Sequence, residues 1–202
     1  TAKLGHGAKF ASALNSVLTF DSAVMTTLAA TAQYGLNMWE ATGCTVSVIN
    51  VTAGGAGAMA SGVHAYKFLT GSSLTISDST LTAPGGSRAL WAYIFRDSAL
   101  TITGSNMDRI AYLHTMENTP VVISTTSVTV SGNHALQLTN FYGTTTTQLT
   151  TATLTSTSNN ALYMLTADST TVTIATSAFS GGAYAIRAVE LTSSVVSVSG
   201  TT

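Results

Sequence analysis

Any chemistry in this chain has to come from few side chains. The carboxylates are Asp21, Glu40, Asp78, Asp97, Asp108, Glu117, Asp168 and Glu190, the imidazoles are His6, His64, His114 and His134, and the one thiol is Cys44. Two carboxylates about 5–5.5 Å apart would suit retaining glycoside cleavage, and about 6.5–9.5 Å would suit inversion. A His/Cys cluster at ligand spacing would suit a metal, and a glycine-rich loop opening a helix would suit a phosphate; neither pattern occurs in the sequence. Arg96-Asp97 and Asp108-Arg109 are neighbouring opposite charges, readable as acid/base pairs or as solvated ion pairs of little energetic weight. Asn50-Val51-Thr52 is the only N-glycosylation sequon.

Whether any of these groups can meet depends on the elements that carry them, and those elements repeat. In Asn160–Ser180 a small residue, Ala161, precedes the alternating pair Leu162 and Met164; a polar corner follows at Thr166–Thr170, then Val172 and Ile174 alternate with threonines. Strict alternation is the mark of a strand with one face buried. The same layout can be laid on Gly7, Gly35, Ala65, Ala89, Ala111, Ala135 and Ala185, which places Tyr66, Phe68, Tyr112 and His114 among the inward positions. A second apolar column runs Phe20, Val48, Ile76, Ile102, Ile123, Leu149, Ile174, Val198, in steps of 28, 28, 26, 21, 26, 25 and 24 residues. A third recurs at Val24, Leu81, Met107, Leu154 and Phe179. Three short strands in about 25 residues make one triangular coil, and internal similarity at this period marks a solenoid. The expected fold is therefore an all-β, right-handed parallel β-helix of about eight coils. A propeller blade needs about 40 residues, and a sandwich has no reason to hold one residue class in register through eight units.

The expected domain is a single β-helix over residues 1–202, a segment of a longer chain, with an irregular first coil or cap over 1–33 and regular coils over 34–202. Leu28–Ala32 reads as a loop or short helical excursion, and Ala53–Ala58 as a flexible loop. Pro84 and Pro120 fall at strand edges, where a missing amide harms the ladder least.

Composition narrows the partners. Charged residues are 7% and the net charge is −1, so nothing here could neutralise a nucleic-acid backbone. No run of about 18 apolar residues could span a bilayer, and membrane insertion is not expected. One cysteine allows no internal disulfide, and Cys44 reads as a small packed residue. Solvent is met by Ser and Thr, about three residues in ten, and that balance suits an extracellular or cell-surface setting.

Units such as Ala89-Leu90-Trp91 followed by Ala99-Leu-Thr-Ile-Thr-Gly-Ser-Asn106 resemble the right-handed parallel β-helix of the pectin-lyase-like superfamily. The likeness extends to autotransporter passenger domains and to the trypanosomatid dispersed-gene-family surface proteins. It covers essentially the whole chain, and it is a likeness of architecture and composition, without a diagnostic motif. It implies a surface setting and leaves activity open. Enzymes of that superfamily use clustered acids with a basic residue on one face. On the repeat register, Asp21 and Asp78 lie two coils apart and Asp97 and Asp168 three, roughly 10–15 Å at about 4.8 Å per coil, at or beyond the inverting limit. No catalytic residue, metal site or cofactor is expected.

The outward side of the first strand is more informative. With Leu162 and Met164 inward, one outward column reads Lys9, Asn37, Lys67, Trp91, Leu113, Gln137, Tyr163, Arg187, and its neighbour reads Ala11, Trp39, Leu69, Tyr93, Thr115, Thr139, Leu165, Val189. That is too apolar and aromatic for an ordinary solvated sheet face. The expected binding face is Trp39, Lys67, Trp91, Tyr93, Tyr163, Leu165 and Arg187, in a non-enzymatic structural or adhesive module. Its expected partner is a protein surface, of the same or another subunit, or carbohydrate. The alternatives are a polysaccharide-binding or polysaccharide-cleaving protein of pectin-lyase-like fold and, from pairs such as Thr101-x-Thr103 and Thr171-x-Thr173, an ice-binding solenoid.

Overall fold

A computed structural model describes residues 7–27, 34–55, 60–84 and 88–202. Among them the chain is all strand and turn, winding through about seven full turns. The opening coil holds β1 (Ala8–Phe10), β2 (Ala13–Leu14), β3 (Val17–Asp21) and β4 (Val24–Thr26). The next two hold β5 (Tyr34–Thr42), β6 (Thr45–Ile49) and β7 (Thr52–Gly54), then β8 (Ser61–Leu69), β9 (Ser73–Ser77) and β10 (Thr80–Thr82). They are followed by β11 (Arg88–Arg96), β12 (Ala99–Thr103) and β13 (Asn106–Met107), then β14 (Ile110–Glu117), β15 (Val121–Ser124) and β16 (Ser127–Val130). The last coils hold β17 (Leu136–Tyr142), β18 (Thr146–Thr150) and β19 (Thr153–Ser156), then β20 (Leu162–Asp168), β21 (Thr171–Ala175) and β22 (Ala178–Gly181), and finally β23 (Ile186–Thr192) and β24 (Val195–Ser199).

These strands form three parallel sheets. The first is ordered β1-β5-β8-β11-β14-β17-β20-β23, with β2 also on β5; the second is β24-β21-β18-β15-β12-β9-β6-β3; the third is β22-β19-β16-β13-β10-β7-β4. Each strand pairs with its equivalent one turn away, so like residues stack. The second-sheet column holds as the repeat requires: Phe20 pairs Val48, Val48 pairs Ile76, Ile76 pairs Ile102, and so on to Val198. The core is these columns, with Leu36, Phe68, Ile76, Phe95, Ile102 and Phe141 almost wholly buried. Phe68 and Phe95 stack with centroids 4.7 Å apart and planes within 1°. Each such side chain contributes about 1.5–3 kcal/mol by leaving water.

Two corners in each coil are closed by one residue in the left-handed region. Between the first and second sheets these include Asn15, Gly43, Gly71, Asp97, Asn118 and Gly143; between the second and third they include Ser22, Asn50, Asp78, Gly104, Thr125 and Thr151. Asn, Asp and Gly tolerate this conformation best. At Gly104, a Cβ would also lie 2.3 Å from Asp78 Oδ1 in the coil below. An inward residue follows most of these corners, and where it is serine or threonine its hydroxyl ties the coils together. Val51 N–H donates to Ser79 Oγ (3.1 Å) and Ser79 N–H to Ser105 Oγ (3.2 Å); at the other corner, Cys44 N–H donates to Ser72 Oγ and Thr119 N–H to Thr145 Oγ1. Cys44 occupies one rung of this ladder, buried, its thiol against Thr42 O at 3.3 Å.

The repeat register needs correction at two coils. Val63 and Ala65 pair with Leu90 and Ala92, and those pair with Ala111 and Leu113. Ala65 and Ala111 are thus core residues rather than corner anchors, and Tyr66, Tyr112 and His114 point outward while Leu113 points in. Alanine suits a corner and a packed core position equally well, so its size does not distinguish them. In the third sheet Met25, not Val24, is the inward residue, 6% exposed against 76%. Ala53 and Gly54 belong to β7 rather than a loop, with Ala53 paired to Met25 and Leu81. The Leu28–Ala32 segment and His6 lie outside the described residues.

Candidate functional site

First-sheet strands break simple alternation in a way that shapes their outer face. The burial sequence in β14 and β20 runs buried, intermediate, buried, intermediate, intermediate, buried. Two consecutive residues therefore face outward before the chain turns in again at Met116 or Ala167. Three outward columns result where strict alternation would give two. The first is Lys9, Asn37, His64, Trp91, Tyr112, Gln137, Tyr163, Arg187. The second contains Trp39, Tyr66, Tyr93, His114 and Leu165, and the third Glu40, Lys67, Ile94, Thr115, Asn140 and Thr166.

The rings of the first two columns stack along the solenoid axis. Trp39 lies on Tyr66 at 4.3 Å, Tyr66 on Tyr93 at 5.2 Å with planes 5° apart, and Tyr93 on His114 at 4.4 Å. Beside them Tyr34 stacks on His64 at 4.5 Å, and His64 meets Trp91 at 4.8 Å. Edge contacts of Trp91 with Tyr93 (5.9 Å) and of Tyr112 with His114 (5.7 Å) join the two columns. The guanidinium of Arg88 lies 4.3 Å from the Trp91 ring and 4.7 Å from the Tyr112 ring. Such cation–ring contacts contribute about 0.5–2 kcal/mol each. Further along, His134 stacks on Tyr163 at 4.3 Å, and Arg187 lies 5.9 Å from the rings of both Tyr163 and Tyr184.

Because the rings are stacked at these distances, most present their edges to the outside and their faces to each other. Trp39, at one end of its column, is the most open ring between Tyr34 and His114, 46% exposed. His64 is buried under its neighbours and held by Asn37, Nδ1 to Oδ1 at 3.0 Å. Trp91 Nε1 is buried with no acceptor among the described residues. His114 and His134 are both held below the ordinary imidazole range, first by burial and then by the positive charges of Arg88 and Arg187 respectively. Burial also lowers Arg88 and raises the Tyr34 phenol, and their mutual charge opposes each shift.

Of the expected face, Trp39, Trp91, Tyr93, Tyr163, Leu165 and Arg187 fall in the first two columns. Lys67 is displaced into the third, beside Glu40 and Ile94, by the same register slip that hid Tyr66. The residues missed were His64, Tyr66, Tyr112, His114, Tyr34 and Arg88. The signal for four of them was present in the alternation Val63-His64-Ala65-Tyr66 and Ala111-Tyr112-Leu113-His114.

The other candidate groups have local roles. Asp78 and Asp97 close left-handed corners, and Asp97 Oδ1 accepts from Asn118 Nδ2 at 3.0 Å. Arg96 pairs across coils with Glu117 rather than with its neighbour Asp97, Nε to Oε2 at 2.9 Å and largely exposed. Asn50 is an exposed left-handed corner residue, a position that itself favours asparagine. On the second sheet Thr75 pairs Thr101 and Ser77 pairs Thr103, but Val122 and Gln148 then interrupt the hydroxyl column. No group of three His, Cys, Asp or Glu converges among the described residues. No family model, curated protein or solved structure matches this chain.

Proposed function

We propose that this chain is a non-enzymatic structural or adhesive module of an extracellular or cell-surface protein, and that it meets a protein partner through the aromatic outer face of its first sheet. A pectin-lyase-like ancestry, as in autotransporter passenger domains and dispersed-gene-family surface proteins, belongs to the same proposal. The observation that carries it is the doubled ring ladder from Tyr34 and Trp39 to Tyr112 and His114. A sugar platform needs open ring faces. Here the faces are taken by neighbouring rings, leaving a rigid strip of edges and alkyl groups of the kind that fills the centre of protein interfaces. The low charge of the chain supports the extracellular setting.

The test joins two readouts on the purified chain. Sedimentation over a range of concentrations reads self-association, and pull-down from extracellular protein extracts reads foreign partners. Affinity electrophoresis against a panel of polysaccharides, with detection of new reducing or unsaturated ends, reads the rival activity. Association that falls by about tenfold or more in folded Trp39→Ser/Tyr93→Ser supports the proposal. Association unchanged in that variant, or polysaccharide retardation with cleavage products, replaces it.

A further inference from the structure

The coil steps are not uniform, and the odd one leaves a mark. Ile102 to Ile123 spans 21 residues, against 26 on either side. The shortening falls at the end of the third-sheet strand and in its return to the first sheet: β13 is two residues long, and after Met107 the chain leaves the sheet at Asp108-Arg109 and enters β14 at Ile110. Its neighbours run on. Thr82 of β10 pairs Gly54 on one side, yet the register with β13 stops at Leu81–Met107; Thr129 and Val130 of β16 pair Thr155 and Ser156, yet their register with β13 stops at Met107–Val128. Beyond Met107 a strand's width is missing between the ends of β10 and β16. It forms an open groove of about 500 Å³, within the range of about 300–1,000 Å³ of small-ligand sites.

The lining says what would fit. Thr80, Thr82, Ser127 and Thr129 offer hydroxyls that donate or accept by rotating, and Asn106 offers both kinds of group on one amide. Met107 and Val130, with the threonine methyls, give an apolar floor. The two charges cancel and are already engaged: Asp108 Oδ1 accepts from Ala83 N–H at 3.0 Å, and Arg109 donates to Asp108 O at 2.7 Å and to Pro84 O at 3.5 Å. An ionic ligand would find no net countercharge, one acid and one base being held apart on backbone groups. A ring that carries hydroxyls around its edge and C–H groups on its face would match both the hydroxyl walls and the apolar floor.

We infer that this groove is a binding site for one neutral polyhydroxylated ring, a hexopyranose residue or a free cyclitol. It lies on the third sheet, apart from the aromatic face, and does not depend on the proposal made for that face. Nuclear magnetic resonance titrations with methyl glucopyranoside, methyl galactopyranoside and myo-inositol, with glucuronate and glucosamine as charged controls, test it. Saturable shifts at Asn106, Thr129 and Thr157 are expected at millimolar neutral ligand, with the glycosides and the cyclitol separating glycan from free polyol as the source. Asn106→Leu/Thr129→Val changes only exposed side chains, so it keeps the fold, and it is expected to weaken binding by about tenfold. Trp39→Ser is expected to leave it unchanged. The inference is overturned by the absence of saturable shifts at the groove for every neutral ring. Charged rings binding as tightly, or undiminished affinity in the folded double variant, would overturn it equally.

Discussion

Ser79 holds coils together with a single hydroxyl. Its Oγ accepts the buried Val51 N–H at 3.1 Å and donates to Ser77 O at 2.7 Å, while its own N–H reaches Ser105 Oγ at 3.2 Å. The left-handed residue before it, Asp78, turns the chain so that this hydroxyl faces the core edge rather than water. Removing it strands a buried donor, and such a donor costs about 1–3 kcal/mol when it loses its acceptor. Ser79→Ala is therefore expected to lower the unfolding free energy in urea by that amount, whereas the outward Thr80→Ala, one residue on, should stay within about 0.5 kcal/mol. Equal effects at the two positions would show that the inward hydroxyl does not bridge the coils. The same logic explains Cys44, whose thiol stands on a rung that serine or threonine fills in most coils, a packing role rather than a reactive one.

At the scale of the element, the second-sheet strands were legible throughout, and the first-sheet strands were misread in two coils. Ile76 and Ile102 alternate with polar neighbours, and Val48 with Ser47 and the outward Ile49, on five-residue strands that follow and precede tight corners, so period two is the whole message. The long first-sheet strands carry two outward residues in succession, as at Trp39-Glu40 and Tyr93-Ile94, and no strict alternation can place both sides of that step. Where the strand also begins on a core alanine, as at Ala65 and Ala111, the inward and outward sets exchange. Half the ring ladder was hidden for that reason, although its general location was readable from Trp39, Trp91, Tyr93 and Tyr163. The ladder is also where pH should act. His114 and His134 are held below the usual imidazole pKa, and His134 Nδ1 accepts the Asn160 amide at 3.3 Å, a bond that protonation abolishes. In acid the unfolded chain, titrating near about 6.5, takes up protons before the folded chain does. Stability is then full above that pH and declines as pH falls below it. Urea midpoints at neutral and mildly acidic pH should show the decline, and His114→Gln/His134→Gln should flatten it. A slope that survives the double replacement would place its origin elsewhere.

Over the whole molecule, each coil touches only its neighbours, so stability is close to a sum of coil and interface contributions. What makes the sum cooperative is the stacked apolar column: Ile102 lies between Ile76 and Ile123, almost wholly buried. A carboxylate placed there has no partner and must take water with it or stay neutral, at a cost of several kcal/mol. Ile102→Asp is accordingly expected to open the flanking coils as one unit. Amide hydrogen exchange should show protection lost together in β9, β12 and β15, and in the first- and third-sheet strands of the same coils, falling off toward both ends of the solenoid. An outward replacement on the same strand, Thr101→Asp, is expected to leave protection intact, because that side chain meets water. Loss confined to β12 in the Ile102 variant would mean that the coils are energetically separate. The ring ladder on the first sheet and the groove on the third could then be opened one at a time. Loss spreading over several coils ties the two surfaces to one rigid rod, on which a partner bound at either face stabilises the other.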